Sequence, residues 1–252
     1  MKNVEWLKDA VFYEIYPQSF FDTNQDGIGD LQGIIKKLDY VRGIGCNAIW
    51  LNPCFDSPFK DAGYDVRDYK KIAPRYGTNE DLQELVRQMH QRDMHLLLDL
   101  VPCHTSEEHP WFKQSSKQER NEFSGRYIWT DGAFTKPSNL TAVGGECERN
   151  GTYVISFFNC QPSLNYGFSR VTESWQHKTD SKEAIATQDA IIDVMRFWLS
   201  MGVDGFRVDM AACLVKNDDG ELGTQAVWKR MFGQIRKEYP EAVFVSEWSN
   251  PT

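Results

Sequence analysis

The chain has 252 residues, 41% of them hydrophobic, with 8 Trp, 10 Tyr and 15 Phe, a formal net charge of -8 and a pI near 5.2. Acidity without any concentrated run of Lys and Arg speaks against a phosphate-gripping surface, and so against a nucleic-acid partner. The length suits one large α/β domain or one that carries a sizeable insertion. Charges are scattered through the N-terminal MKNVEWLKDAVFYEIYPQ, which has no signal-like apolar centre. No run of about 18 apolar residues is present to span a bilayer. A cytoplasmic protein without a membrane partner is the expectation. Six cysteines, at 46, 54, 103, 147, 160 and 213, form no CxxC pair and no metal-like spacing with His. Free thiols are therefore expected; on export, Cys147 and Cys160 are the pair to suspect.

In chain order, a short β-rich apolar run at 10–16 opens the sequence. A helix follows from Leu31, with Leu31, Ile34, Ile35, Leu38 and Val41 on one face. A second strand is read at 47–52, a helix around Leu82, Leu85, Val86 and Met89, and a third strand at 95–101. The next apolar helix, carrying Ile185, Ile191, Ile192, Val194, Met195 and Phe197, ends near Gly202. It leads to a fourth strand at 205–210, a helix with Val227, Met231, Phe232 and Ile235, and a fifth strand at 242–247. Strands alternating with helices imply βαβ units and a parallel sheet. Apolar residues on both faces of the strands fit a sheet covered by helices. Most strand starts are spaced with the rhythm of a (β/α)₈ TIM barrel. Strands three and four are the exception. The surplus between them is rich in Ser, Gly, Asn and Trp, contains a strand-like piece at 152–158, and is too long for a loop. The expected organisation is barrel over 1–104, a small inserted subdomain over 105–180, and barrel again over 181–252. The barrel is expected to be truncated after about strand five.

Polar residues gather where the apolar strands end, the face that carries the active site in barrels. Asp99 and His104 close HLLLDLVPCH, Arg207 and Asp209 sit two apart in GFRVDM, and Glu247 ends VFVSE. Positions i and i+2 share a face, so a guanidinium lies beside a carboxylate. Such a neighbour favours an ionised Asp209, as a nucleophile needs. Val245 and Trp248 flank Glu247 with apolar surface, the setting that favours a protonated carboxyl able to act as an acid. Two carboxylates from adjacent strand ends can then divide glycosidic chemistry between them. An isolated Arg-x-Asp is more often an ion pair or cap; three polar clusters at three successive strand ends change that balance.

The segments DLVPCH, GFRVD and VSEW resemble the strand-three, strand-four and strand-five motifs of glycoside hydrolase family 13, the α-amylase family. QPSLN at 161–165 is similar to the motif that ends the family's inserted subdomain, and AVFYEIYPQSFFDTNQDGIGDLQGI and GYDVRDY also match. The resemblance implies that Asp209 is the nucleophile and Glu247 the acid/base. It further implies that Arg207 positions Asp209, Asp99 supports Arg207, His104 binds a sugar hydroxyl and Tyr64 stacks on the sugar. Asp61, in DAGYD, matches an acid that grips the terminal sugar in members acting at chain ends; its other reading is a turn cap. In DTNQDGIGD, the oxygen donors Asp22, Asn24, Asp26 and Asp30, with the carbonyl of Ile28, alternate around a Gly and suit one structural Ca²⁺. An Asx-turn loop is the alternative. Oligosaccharide-cleaving members of the family hold a cation here. Cys103 and Ser163 replace the family's usual Asn and Asp, so a second calcium of many α-amylases is not expected. The family's remaining catalytic acid is expected beyond Thr252, and the chain alone is expected to be inactive.

The implied activity is retaining hydrolysis of α-glucosidic bonds in maltodextrin or isomalto-type oligosaccharides, of the α-glucosidase or oligo-1,6-glucosidase type. The alternatives are a maltodextrin-cleaving α-amylase, a glucosyl-transferring or isomerising relative such as a trehalose synthase, and a non-catalytic scaffold.

Overall fold

The computed structural model describes residues 4–248. In chain order it comprises β1 (Phe12–Ile15), α1 (Pro17–Phe20), α2 (Leu31–Gly43), β2 (Ala48–Leu51), β3 (Phe55–Asp56), β4 (Asp68–Ile72), α3 (Asn79–His90) and β5 (His95–Leu100). Then follow α4 (Pro110–Ser115), β6 (Ala142–Gly144), β7 (Thr152–Val154), α5 (Lys182–Ser200), β8 (Gly205–Val208), α6 (Leu222–Glu238) and β9 (Val243–Ser246). All five anticipated strands form and pair in one sheet of order β1-β2-β5-β8-β9, every pair parallel. Neighbours in sequence are neighbours in the sheet, as in the first five strands of a barrel.

The helices begin where side chains satisfy their first N–H groups. Asp30 accepts from the Gly33 N–H at 2.7 Å to start α2. Thr78 and Asp81 cap each other's backbone at the head of α3, a capping box. Ser181 caps α5. Strand alternation then sorts the side chains. Leu96, Leu98 and Leu100 of β5 join the same apolar cluster as Leu85 of α3 and Ile192 of α5. Asp99 points the other way, toward the axis side of the sheet. At the start of β8 only glycine fits, because a Cβ on Gly205 would lie 2.0 Å from the Val243 carbonyl oxygen.

The hairpin β3–β4, between β2 and α3, was not legible in the sequence. Arg67, in the segment that joins its strands, grips Asp56 through two hydrogen bonds of 2.9 and 2.8 Å, and from outside Phe55 stacks on Trp198 of α5 with ring centroids 5.2 Å apart. The long insert carries α4 and the small antiparallel pair β6–β7. It is not isolated from the barrel core: Phe112, Trp129 and Tyr153 belong to the main cluster, and only Ile128, Val154 and Phe168 make a small cluster of their own. QPSLN stitches the insert to the segment after β5, with the Leu164 N–H donating to the Cys103 carbonyl at 3.0 Å and the Thr105 N–H to Pro162 at 3.3 Å.

Candidate active site

Backbone hydrogen bonds fix both acids just past their strands. The Asp209 N–H donates to Leu100 and the Glu247 N–H to Val208, each at 2.9 Å, while Ala211 donates to the Glu247 carbonyl at 3.0 Å. Met210, between the two, takes a left-handed conformation with φ 42, and its N–H donates to the Glu247 carboxylate at 3.0 Å. Parallel register sets Asp99 opposite Arg207.

Arg207 is the hub. One amino nitrogen donates to both oxygens of Asp99 (3.0 and 3.1 Å) and to Asp209 (2.9 Å); the other pairs with Glu247 at 2.9 Å. One guanidinium thus bridges carboxylates from three adjacent strands, a task its planar fork of donors suits. The Trp50 ring supports it from below, 4.8 Å from the guanidinium carbon, and donates its indole N–H to Asp99 at 3.1 Å. Tyr64 brings its hydroxyl to 3.4 Å from the same Asp99 oxygen.

Burial dominates the electrostatics. Asp99 is 1% exposed and its carboxyl is pushed up to about 7, against the pull of Arg207. Asp209, 6% exposed, is pushed up to about 6 by burial, with Glu247 adding to the rise and Arg207 opposing it. Arg207 pulls Asp209 toward the ionised form, as its place in the sequence suggests, but desolvation outweighs the guanidinium. Asp209 is still ionised roughly ten to one at neutrality. The apolar flanking expected for Glu247 is corrected too. Its side chain is 42% exposed and Val245 is 38% exposed, while Trp248 turns its N–H to Glu221 at 2.6 Å.

Asp61 and His104 lie in the segments that follow β3 and β5. The backbone of 61–65 is folded by Asp65, whose carboxylate accepts from the Lys60 and Asp61 N–H groups at 3.0 Å, and by Gly63 with φ 103. Asp61 is not the cap of this turn; its own carboxylate accepts from the Gln161 amide of QPSLN at 2.7 Å. His104 is 1% exposed, neither ring nitrogen meets a partner at full hydrogen-bond geometry, and burial lowers it to about 4 against the opposing pull of the Tyr64 backbone, leaving the ring neutral. The Asn52 side-chain oxygen is likewise buried without a partner. Buried polar atoms without partners carry a penalty that a ligand or water relieves. Cys103 gives its thiol hydrogen to the Met210 carbonyl at 3.2 Å, and the Ser163 hydroxyl meets that of Ser156 at 3.0 Å.

The loop 22–30 lies between α1 and α2. Asp22 accepts from the N–H groups of Asn24 (3.0 Å), Gln25 (2.7 Å) and Gly27 (2.8 Å); Asn24 accepts from Asp26 and Asp26 from Ile28. The Gly27 N–H above all holds the Asp22 carboxyl below its usual range. Asp30 is otherwise committed, with both oxygens taking hydrogen bonds from Thr23 as well as capping α2.

A family model described as alpha amylase, catalytic domain, matches residues 14–250. The chain belongs to the α-amylase family. It is 37% identical over 257 residues to the trehalose synthase/amylase TreS of Mycolicibacterium smegmatis, covering 97% of this chain and 41% of that protein. It is 42% identical over 220 residues to an oligo-1,6-glucosidase of Heyndrickxia coagulans, covering 84% of this chain and 37% of that protein. Among solved structures, an isomaltulose synthase of Erwinia rhapontici with sucrose superposes with a TM-score of 0.81 at 34% identity, over 96% of this chain and 44% of the other. This α-amylase-family chain therefore spans under half the length of these relatives.

Sequence reading missed Trp50, Asn52 and Gln161. Trp50 sits in the apolar run AIWL, where an indole facing the site looks like one facing the core. Gln161 was visible in its motif, but its partner Asp61 lies 100 residues away.

Proposed function

We propose that this α-amylase-family site performs retaining hydrolysis of α-glucosidic bonds in maltodextrin or isomalto-type oligosaccharides. One observation carries the reading: acids from two adjacent strand ends, Asp209 and Glu247, are held on opposite amino groups of one guanidinium. Asp209 attacks the anomeric carbon while Glu247 gives its proton to the departing glycosidic oxygen. Glu247 then takes a proton from the water that displaces Asp209, which restores both acids. Arg207 orients Asp209, and Asp99 orients Arg207. Neutral His104 has a buried donor and acceptor free for a sugar hydroxyl, Tyr64 offers a ring beside the acids, and Asp61 with Gln161 holds the terminal sugar.

The match to a protein named trehalose synthase/amylase, over 97% of this chain and 41% of that protein, favours a second reading on the same residues, in which a sugar hydroxyl replaces water as acceptor.

A structural Ca²⁺ on Asp22, Asn24, Asp26, Asp30 and the Ile28 carbonyl belongs to this proposal. The donors are hard oxygens, and successive Asx turns already orient three of them. Asp30 has the fewest free lone pairs and contributes least. A cytoplasmic setting is supported by the six unpaired cysteines; no helix among the described residues is long and apolar enough to cross a membrane. The net charge of -8 speaks against nucleic acid as a partner.

The test compares maltose, isomaltose and an aryl α-glucoside as substrates for the enzyme with a complete barrel, as wild type, Asp209→Asn and Glu247→Gln. Asp209→Asn should abolish turnover of all three, together with the covalent glycosyl intermediate. Glu247→Gln should slow the sugars far more than the aryl glucoside, whose leaving group needs little protonation. Full activity of Asp209→Asn would overturn the assignment.

A further inference from the structure

At the end of the sheet opposite the acids, three side chains converge that the glycosidic chemistry does not use. His95 opens β5, Asp204 immediately precedes β8, and His90 ends α3. Their candidate ligand atoms all lie within 4.8 Å of one another, and no other such grouping of three His, Cys, Asp or Glu side chains occurs among the described residues. The two histidines approach different oxygens of one carboxylate: His95 Nδ1 is 2.8 Å from Asp204 Oδ1, and His90 Nε2 is 3.0 Å from Asp204 Oδ2. Both rings therefore direct a nitrogen at the same locus.

We propose that His90, His95 and Asp204 form a binding site for one divalent transition-metal ion of the Zn²⁺ or Co²⁺ type. The chemistry selects the metal class. Two imidazoles with one carboxylate suit Zn²⁺ and its neighbours rather than Ca²⁺ or Mg²⁺, which require mainly oxygen. Three protein ligands leave a fourth position for water, and the 43% exposed His90 side chain keeps that position accessible.

The two histidine–carboxylate separations need little change, while the three ligand atoms, within 4.8 Å of one another, draw in around the ion. Metal–ligand bonds of about 2.0–2.1 Å place neighbouring tetrahedral ligands about 3.3 Å apart. The observed separations of 2.8 and 3.0 Å open by a few tenths of an ångström as a bond to metal replaces each shared hydrogen. Each neutral ring then carries its proton on the other nitrogen.

The site is also held in advance. Asp204 accepts from the Leu96 N–H at 2.9 Å, and its own N–H and carbonyl pair with Leu96 and Val243, each at 3.0 Å. The Trp6 ring stacks on His95 with centroids 4.0 Å apart and planes 8° from parallel, fixing that ligand's orientation. A bound ion would tie together the starts of β5 and β8 and the end of α3, on the barrel face associated with stability rather than catalysis.

The experiment strips the full chain with a chelator and titrates it with Co²⁺, followed by Zn²⁺. One Co²⁺ per chain should bind, with the visible absorption of a low-coordinate nitrogen–oxygen site, and one equivalent of Zn²⁺ should displace it. Binding should also raise the melting temperature. His90→Gln changes a partly exposed residue at a helix end, and His95→Gln removes the second ring. Each should weaken Co²⁺ binding roughly tenfold or more, because a three-ligand site loses a third of its protein ligands. Asp22→Asn, in the loop between α1 and α2, should leave Co²⁺ binding unchanged. Binding that survives both histidine substitutions, disappears in Asp22→Asn, or is absent at about 100 µM Co²⁺ would overturn the site.

Discussion

Asp99 meets two opposed demands. Its carboxylate is the main partner of Arg207, yet it is buried beside a second acid and pushed up to about 7 from the ordinary 3.8. A group whose folded state binds its proton more tightly contributes stability that is complete below the unfolded value and lost as pH rises through the folded one. Native stability relative to Asp99→Asn should therefore fall between about pH 4 and pH 8, by about 2–4 kcal/mol at this degree of burial. Urea unfolding of the two proteins across that range measures it. A gap that stays constant would mean that Arg207 keeps Asp99 ionised throughout. The residues whose chemistry shows in their type, Asp99, Arg207, Asp209 and Glu247, were legible from the motifs. Trp50 was not, because its contribution is a position under a guanidinium that only the neighbouring strands supply.

The loop ahead of α2 shows how one element can carry two jobs. Asp30 starts the helix, and Asp22, Asn24 and Asp26 fold the loop around their own N–H donors. If that loop holds Ca²⁺, binding to the folded form alone stabilises it by about 2.7 kcal/mol at a hundredfold excess over Kd. For a chain of this size the melting temperature should rise by about 5–10 °C in millimolar Ca²⁺ and fall back with EGTA. Asp22→Asn should remove most of the shift. Equal melting temperatures with Ca²⁺ and with EGTA would leave the Asx turns as the whole explanation of the motif. The helices were legible because 3.6-residue periodicity and capping residues are local signals. The β3–β4 hairpin was not, since Phe55 and Asp56 are ordered by Trp198 and Arg67, of which Trp198 lies far along the chain.

Across the molecule, the apolar cluster runs without a break from the barrel helices into the insert, through Phe112, Trp129 and Tyr153. An insert that shares its core cannot melt on its own without exposing that shared surface. Calorimetry should show one transition, coincident with far-UV circular dichroism and with the fluorescence of tryptophans in both regions, such as Trp129 in the insert and Trp198 in α5. An earlier, separate transition would show that the insert is a subdomain in the thermodynamic sense.

The sequence by itself determined the alternation of strands and helices, the five-strand parallel order and the clustering of acids at strand ends. Each follows from periodicity, local turn chemistry or the side-chain direction that a strand enforces. The motifs already paired Arg207 with Asp209 and Asp99; only the tertiary structure added Glu247 to the same guanidinium. Asp99, Asp209 and Glu247 meet on Arg207 because parallel register aligns β5, β8 and β9. Register is a relation between distant segments that no local pattern records. Asp61 meets Gln161, and His90 meets His95 and Asp204, for the same reason. Burial was also hidden, since Arg207 stands beside Asp209 in sequence, but whether it or desolvation prevails depends on how much water the finished fold excludes.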